Sequence, residues 1–104
     1  MAYHQLEQLS RLYDGYMRPF VIEGRRLLLL QEAGKLHLIE NRCPHMDIPL
    51  ETGALLPTEA IRCRAHGIEF DLNTGKASGP LADSLDCLTR FRLAYEGTTV
   101  GVEF

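Results

Sequence analysis

Short runs of alternating apolar and polar residues, cut by glycine, dominate this chain, and helical spacing is scarce. Phe20 to Ile22 and Arg26 to Gln31 flank Glu23-Gly24, and Lys35 to Glu40 follows Ala33-Gly34, so the three segments predict an antiparallel meander. Phe91 to Tyr95 and Thr99 to Phe104, joined around Glu96-Gly97, predict a further hairpin. Shorter strands are expected at Ala60 to Arg62, Ile68 to Asp71 and Lys76 to Ala77, with Asn73-Thr74-Gly75 as the tight turn between the last two. Tyr3 to Leu12 is ambiguous: Leu6, Leu9 and Leu12 fit helical spacing, but the segment is short and poorly capped, and a strand followed by a turn is expected. Asn41 to Pro57 forms no simple hairpin; a loop of that length in a compact domain is usually functional. The pattern predicts an all-β chain.

With 104 residues the chain has the usual size of one domain, and a single domain over residues 1–104 is expected. The apolar share of 45% and charged share of 24% are those of an ordinary folded protein. A net charge of -3 and a pI of about 5.7 argue against nucleic acid, which needs clustered Lys and Arg. The longest apolar run, Leu27 to Leu30, is far too short to span a membrane, and Met1 to Leu12 lacks the layout of a signal peptide. A cytoplasmic protein is expected.

Three cysteines cannot complete an intramolecular disulfide framework, and two of them stand beside histidines as Cys43-x-His45 and Cys63-x-x-His66. Each pair lies in a loop next to an expected strand, so two loops of one sheet could pinch a metal centre between them. A structural zinc ion also takes two Cys and two His. Zinc ligands generally come in like pairs with a helix bearing the histidines, whereas here each pair is mixed and lies between strands.

The run Arg42-Cys43-Pro44-His45, Pro49-Leu50, and Cys63-Arg64-Ala65-His66-Gly67-Ile68-Glu69-Phe70-Asp71-Leu72-Asn73-Thr74-Gly75 resemble the Rieske ferredoxins, particularly those of bacterial ring-hydroxylating (aromatic) dioxygenase systems. The resemblance extends to Gly79-Pro80 and to the overall length. It implies stacked antiparallel sheets with a cluster-binding subdomain at one tip, holding one 2Fe-2S cluster. Cys43 and Cys63 would hold the inner iron and His45 and His66 the outer one, with the Gly79-Pro80 loop covering the cluster. Asp47 stands where the family commonly has Gly, and Arg64 where it has Pro; Asp tolerates left-handed backbone better than most residues. Histidine ligation raises the potential above that of an all-cysteine centre. High-potential relatives add an inter-loop disulfide and hydroxyl donors; the matching positions here, Ile48, Ala65, Ile68 and Phe70, are apolar, so the low-potential end is expected.

Of the remaining candidates, Cys87 is expected to be a small buried hydrophobe, His37 an ordinary surface or rim residue, and His4 carries no signal. Arg42, Arg62 and Arg64 flank the ligands and could form a docking rim for an acidic partner or be solvated loop charges. Met46, Ile48 and Pro49 could give the tip an apolar face. No nucleophilic constellation, phosphate loop or dinucleotide fingerprint is present in the sequence, nor a mononuclear iron site. The resemblance therefore implies a monomeric, non-catalytic carrier of single electrons, docking transiently at its histidine tip to an NAD(P)H-dependent flavoprotein reductase and a terminal oxygenase. The alternative is a small subunit of a larger reductase such as assimilatory nitrite reductase.

Overall fold

The computed structural model describes residues 2–44, 47–64, 67–79 and 86–104. Its strands are β1 (Tyr3–Gln8), β2 (Met17–Ile22), β3 (Arg25–Glu32), β4 (Lys35–Glu40), β5 (Ala54–Leu56), β6 (Ala60–Arg62), β7 (Glu69–Asp71), β8 (Ala77–Ser78), β9 (Arg90–Phe91), β10 (Leu93–Glu96) and β11 (Thr99–Glu103). They form three antiparallel sheets, ordered β1-β11-β10, β2-β3-β4-β9 and β5-β6-β7-β8. Short 3-10 turns at Leu9–Arg11 and Leu50–Thr52 complete the regular structure of the described residues, none of whose helices is long and apolar enough to cross a membrane.

The expected meander is present as β2, β3 and β4. Pro19 lies within β2, an edge strand, where its missing N–H costs no ladder bond. Tyr3 to Leu12 is a strand followed by a 3-10 turn, as expected. Its register slips between Gln5 and Glu7, a bulge that breaks strict alternation and lets the consecutive Leu6 and Glu7 both be buried. Two expectations need correction. The single strand over Phe91 to Tyr95 is two: Arg90–Phe91 pairs with β4 and Leu93–Glu96 with β11, so the chain changes sheets at Arg92. The long loop Asn41 to Pro57 contains β5, which pairs with β6 through Ala54 to Leu56.

The core follows from the alternation of β3. Leu27, Leu28, Leu29 and Leu30 are all fully buried, so this strand has no solvent face. Leu28 and Leu30 join one apolar cluster with Ile39, Leu50, Phe70 and Leu72, whereas Leu27 and Leu29 join a second with Leu6, Leu38, Val100 and Val102. The first cluster lies under the β5 to β8 sheet and contains Cys43 and Cys63.

Candidate metal centre

Cys43 follows β4 after two residues, and Cys63 follows β6 directly. Both are buried, at 0% and 1% exposure. The two loops close alike: the Cys43 N–H donates to Ile48 O at 2.9 Å and the Cys63 N–H to Ile68 O at 2.8 Å. In each, the residue before the isoleucine has a left-handed backbone, Asp47 at φ +53° and Gly67 at φ +65°. Gly67 meets no steric penalty there, and Asp is among the few other residues that accept it. The structure therefore keeps the loop shape despite the Asp47 substitution noted in the sequence.

The Cys43 loop and the turn after β7 are also tied to their surroundings. Asn41 and Glu51 bond reciprocally, Asn41 Nδ2 donating to Glu51 Oε1 at 3.3 Å and the Glu51 N–H to Asn41 Oδ1 at 3.2 Å, which clamps the two flanks of the Cys43 loop. Gly75 terminates the β7 turn at φ +80°, where an added Cβ would stand 2.5 Å from Leu88 O. Only glycine permits that approach, and the Leu88 N–H donates to Gly75 O at 2.7 Å.

Beside that bond Leu88 is buried, 3% exposed, and the neighbouring Cys87 is exposed, which corrects the expectation of a buried Cys87. His37 is corrected as well: the far face of β4 is covered, and only 10% of its side chain is exposed. Its Nε2 lies 3.6 Å from Glu59 Oε1, just beyond hydrogen-bond reach, and both atoms are buried without a hydrogen-bond partner. Burial pushes the His37 imidazole below its usual range, against the opposing pull of Glu59. The arginines flanking the ligands are largely self-neutralised: Arg62 Nη2 donates to Glu69 Oε2 at 2.9 Å and Arg42 Nε to Glu40 Oε1 at 3.1 Å, while Arg64 is exposed.

His45, Met46, Ala65, His66 and Pro80 lie outside the described residues. Of the four expected ligands, the structure thus places Cys43 and Cys63, and brings both into one apolar cluster. Two sulfur donors screened from water suit a soft metal site rather than a hydrated hard cation. Ile68 and Phe70 are buried in the same cluster and bring no hydroxyl to it. Sequence reasoning missed Asn41, Glu51 and Glu59. Polar residues in a long loop give no sign of which partner they will meet, and Glu59 reaches its place through a left-handed backbone, φ +58°, that glycine would ordinarily announce.

A family model described as "Rieske [2Fe-2S] domain" matches residues 2–89. The chain is 32% identical over 89 residues to the ferredoxin component of the alkene monooxygenase system of Xanthobacter autotrophicus, covering 86% of this chain and 70% of that one. It is 33% identical over 69 residues to the ferredoxin component of the naphthalene 1,2-dioxygenase system of Pseudomonas putida, covering 66% and 65%. It spans only 14% of a longer relative, apoptosis-inducing factor 3 of Mus musculus, at 31% identity over 88% of this chain. Among solved structures, the ferredoxin of carbazole 1,9a-dioxygenase from Nocardioides aromaticivorans IC177 superposes with a TM-score of 0.84 over 98% of this chain and 97% of that one, at 20% identity.

Proposed function

The chain belongs to the Rieske [2Fe-2S] family and carries one cluster of that type, and on this premise we propose that Cys43, His45, Cys63 and His66 are the ligands of a one-electron carrier serving an oxygenase. The observation that carries the ligand reading is the pair of buried cysteines on two loops of matching closure within one apolar cluster. When bound, the cluster supplies reversible uptake of one electron, made easier than at an all-cysteine centre by two neutral imidazoles.

The protein's own residues set the conditions for that chemistry. Leu28, Leu30, Leu50 and Phe70 keep water from the cysteine sulfurs. Ile68 and Phe70 donate no hydroxyl hydrogen bond that would stabilise added negative charge, which favours the lower end of the Rieske range, roughly -150 mV.

In this reading residues 1–104 act as a single domain, a cytoplasmic monomer. It takes electrons from an NAD(P)H-dependent flavoprotein reductase and docks transiently, at its histidine tip, to a terminal ring-hydroxylating oxygenase. Relatives named as ferredoxin components of oxygenase systems support the carrier role. They do not favour the alternative of a fixed subunit in a reductase such as assimilatory nitrite reductase.

The test is the metal content of protein purified aerobically from its native source, with its visible and paramagnetic resonance spectra. Iron and acid-labile sulfide are expected in equal amounts; zinc without sulfide would sink the ligand reading. Cys43→Ser or Cys63→Ser should abolish the visible spectrum, and Cys87→Ser should leave it unchanged.

A further inference from the structure

The two cysteine loops share their closure but fill the left-handed position differently, with Gly67 in one and Asp47 in the other. The Asp47 carboxylate is held from outside its loop: Arg26 Nη2 donates to Oδ1 at 2.6 Å, and Arg42 Nε stands 3.8 Å from the same oxygen. The alternation of β3 places Arg26 there. In register with β2 and β4, Leu30, Leu28 and Arg26 occupy one face of the strand, so the row that lines the cysteine cluster ends in a guanidinium. The Arg26 carbonyl also accepts the Asn41 N–H at 3.0 Å, which fixes β3 against the entry to the loop.

Stability does not account for this pair. Its side chains are 44% and 66% exposed, and exposed ion pairs contribute about 0 to 1 kcal/mol. What the pair does fix is charge. A carboxylate two residues from His45 disfavours any added negative charge nearby, and the guanidinium held against it cancels that effect.

Resting on the ligand assignment above, we propose that Arg26 and Asp47 form a balanced charge couple beside the centre, in which the Arg26 guanidinium offsets the lowering of the reduction potential by the Asp47 carboxylate.

The experiment is direct voltammetry of the loaded protein at neutral pH, with the visible spectrum of every sample taken first. Asp47→Asn removes the charge while keeping a residue that tolerates left-handed backbone, and should raise the potential. Arg26→Gln leaves the carboxylate only Arg42, 3.8 Å away and already paired with Glu40, and should lower it. Asp47→Gly should shift the potential upward as Asp47→Asn does; a purely conformational role would leave the glycine variant at the parent value. The double variant Arg26→Gln/Asp47→Asn should return close to the parent, and the opposite single shifts should shrink as ionic strength rises. Asp47→Asn and Arg26→Gln proteins with the parent's visible spectrum and the parent's potential would overturn the proposal. A parent without that spectrum would instead overturn the ligand assignment on which it rests.

Discussion

The two faces of β3 are built from the same residue type but enclose different environments. On one side Leu27 and Leu29 pack with Leu6, Val100 and Val102 in a cluster that holds no cysteine; on the other Leu28 and Leu30 pack with Cys43, Cys63 and Phe70. Their buried polar groups differ as well. On the first side Glu7, 6% exposed, is fully engaged: Tyr16 Oη donates to its Oε2 at 2.9 Å, the Gln8 N–H to Oε1 at 2.9 Å, and Arg18 Nη1 to Oε2 at 3.3 Å. On the second, His37 and Glu59 face one another unbonded, with Lys35 Nζ 3.9 Å from the carboxylate. The cysteine-free side satisfies its buried carboxylate with three donors, although His4 Nε2 there is buried without a hydrogen-bond partner, whereas on the side bearing the ligands both members of a facing pair go unbonded.

The comparison is sharpened most by truncating the leucines. Leu28→Ala and Leu29→Ala each remove a fully buried side chain, and each should lower the free energy of unfolding by about 2 to 5 kcal/mol in denaturant titrations. Only Leu28→Ala should also hasten bleaching of the visible absorption, since only its void opens beside the cysteines. Equal bleaching in both would erase the distinction between the two sides.

Tyr16→Phe should have a smaller effect. Burial, together with Glu7, pushes the Tyr16 hydroxyl up to about 12, so it remains a donor throughout the ordinary pH range. Its removal leaves a buried carboxylate one bond short, with an expected loss of about 1 to 3 kcal/mol by thermal or chemical unfolding, and no change in the visible spectrum.

The smallest effect concerns pH. The unfolded chain binds a proton at His37 near the ordinary imidazole value of 6.5, whereas in the folded protein burial lowers that value. More protons are then bound by the unfolded state, so stability falls as pH drops through 6.5 and levels off only below the folded value. Glu59 resists this shift and Lys35 and Arg90 reinforce it. His37→Gln should flatten that part of the stability profile, measured by denaturation between neutral and mildly acidic pH; a profile unchanged by the substitution would show that the imidazole is not the group responsible.

Much of this arrangement was legible before the structure. The β2 to β4 meander was readable because each hairpin carries its own glycine, at Gly24 and Gly34, both with positive φ. The mixed Cys and His pairs were readable because ligand spacing is local. What escaped was what depends on contacts distant in sequence. Alternation alone made His37 a rim residue because it cannot tell that a second sheet covers β4. Cys87 looked buried because its apolar neighbours suggested it, while it is Leu88, bonded through its backbone to the distant Gly75, that joins the apolar cluster. The three residues of β5 carry no periodicity that could separate them from the loop around them.

The pairing of β1 with β11 has a consequence for the order of assembly. Tyr3 pairs with Glu103 and Gln8 with Thr99, so among the described residues the ladder partner of β1 is β11, with every other strand lying between them in sequence. The β2 to β4 meander needs only neighbouring hairpins and can form while later segments are still being made, whereas a pairing so remote in sequence pays loop-closure entropy before it gains any contact. Until β11 emerges, Leu6 has no Val100 or Val102 to cover it, and the outward face of Leu27 and Leu29 stays open. A nascent chain would therefore complete the half that encloses its cysteines before the half that seals the back of β3.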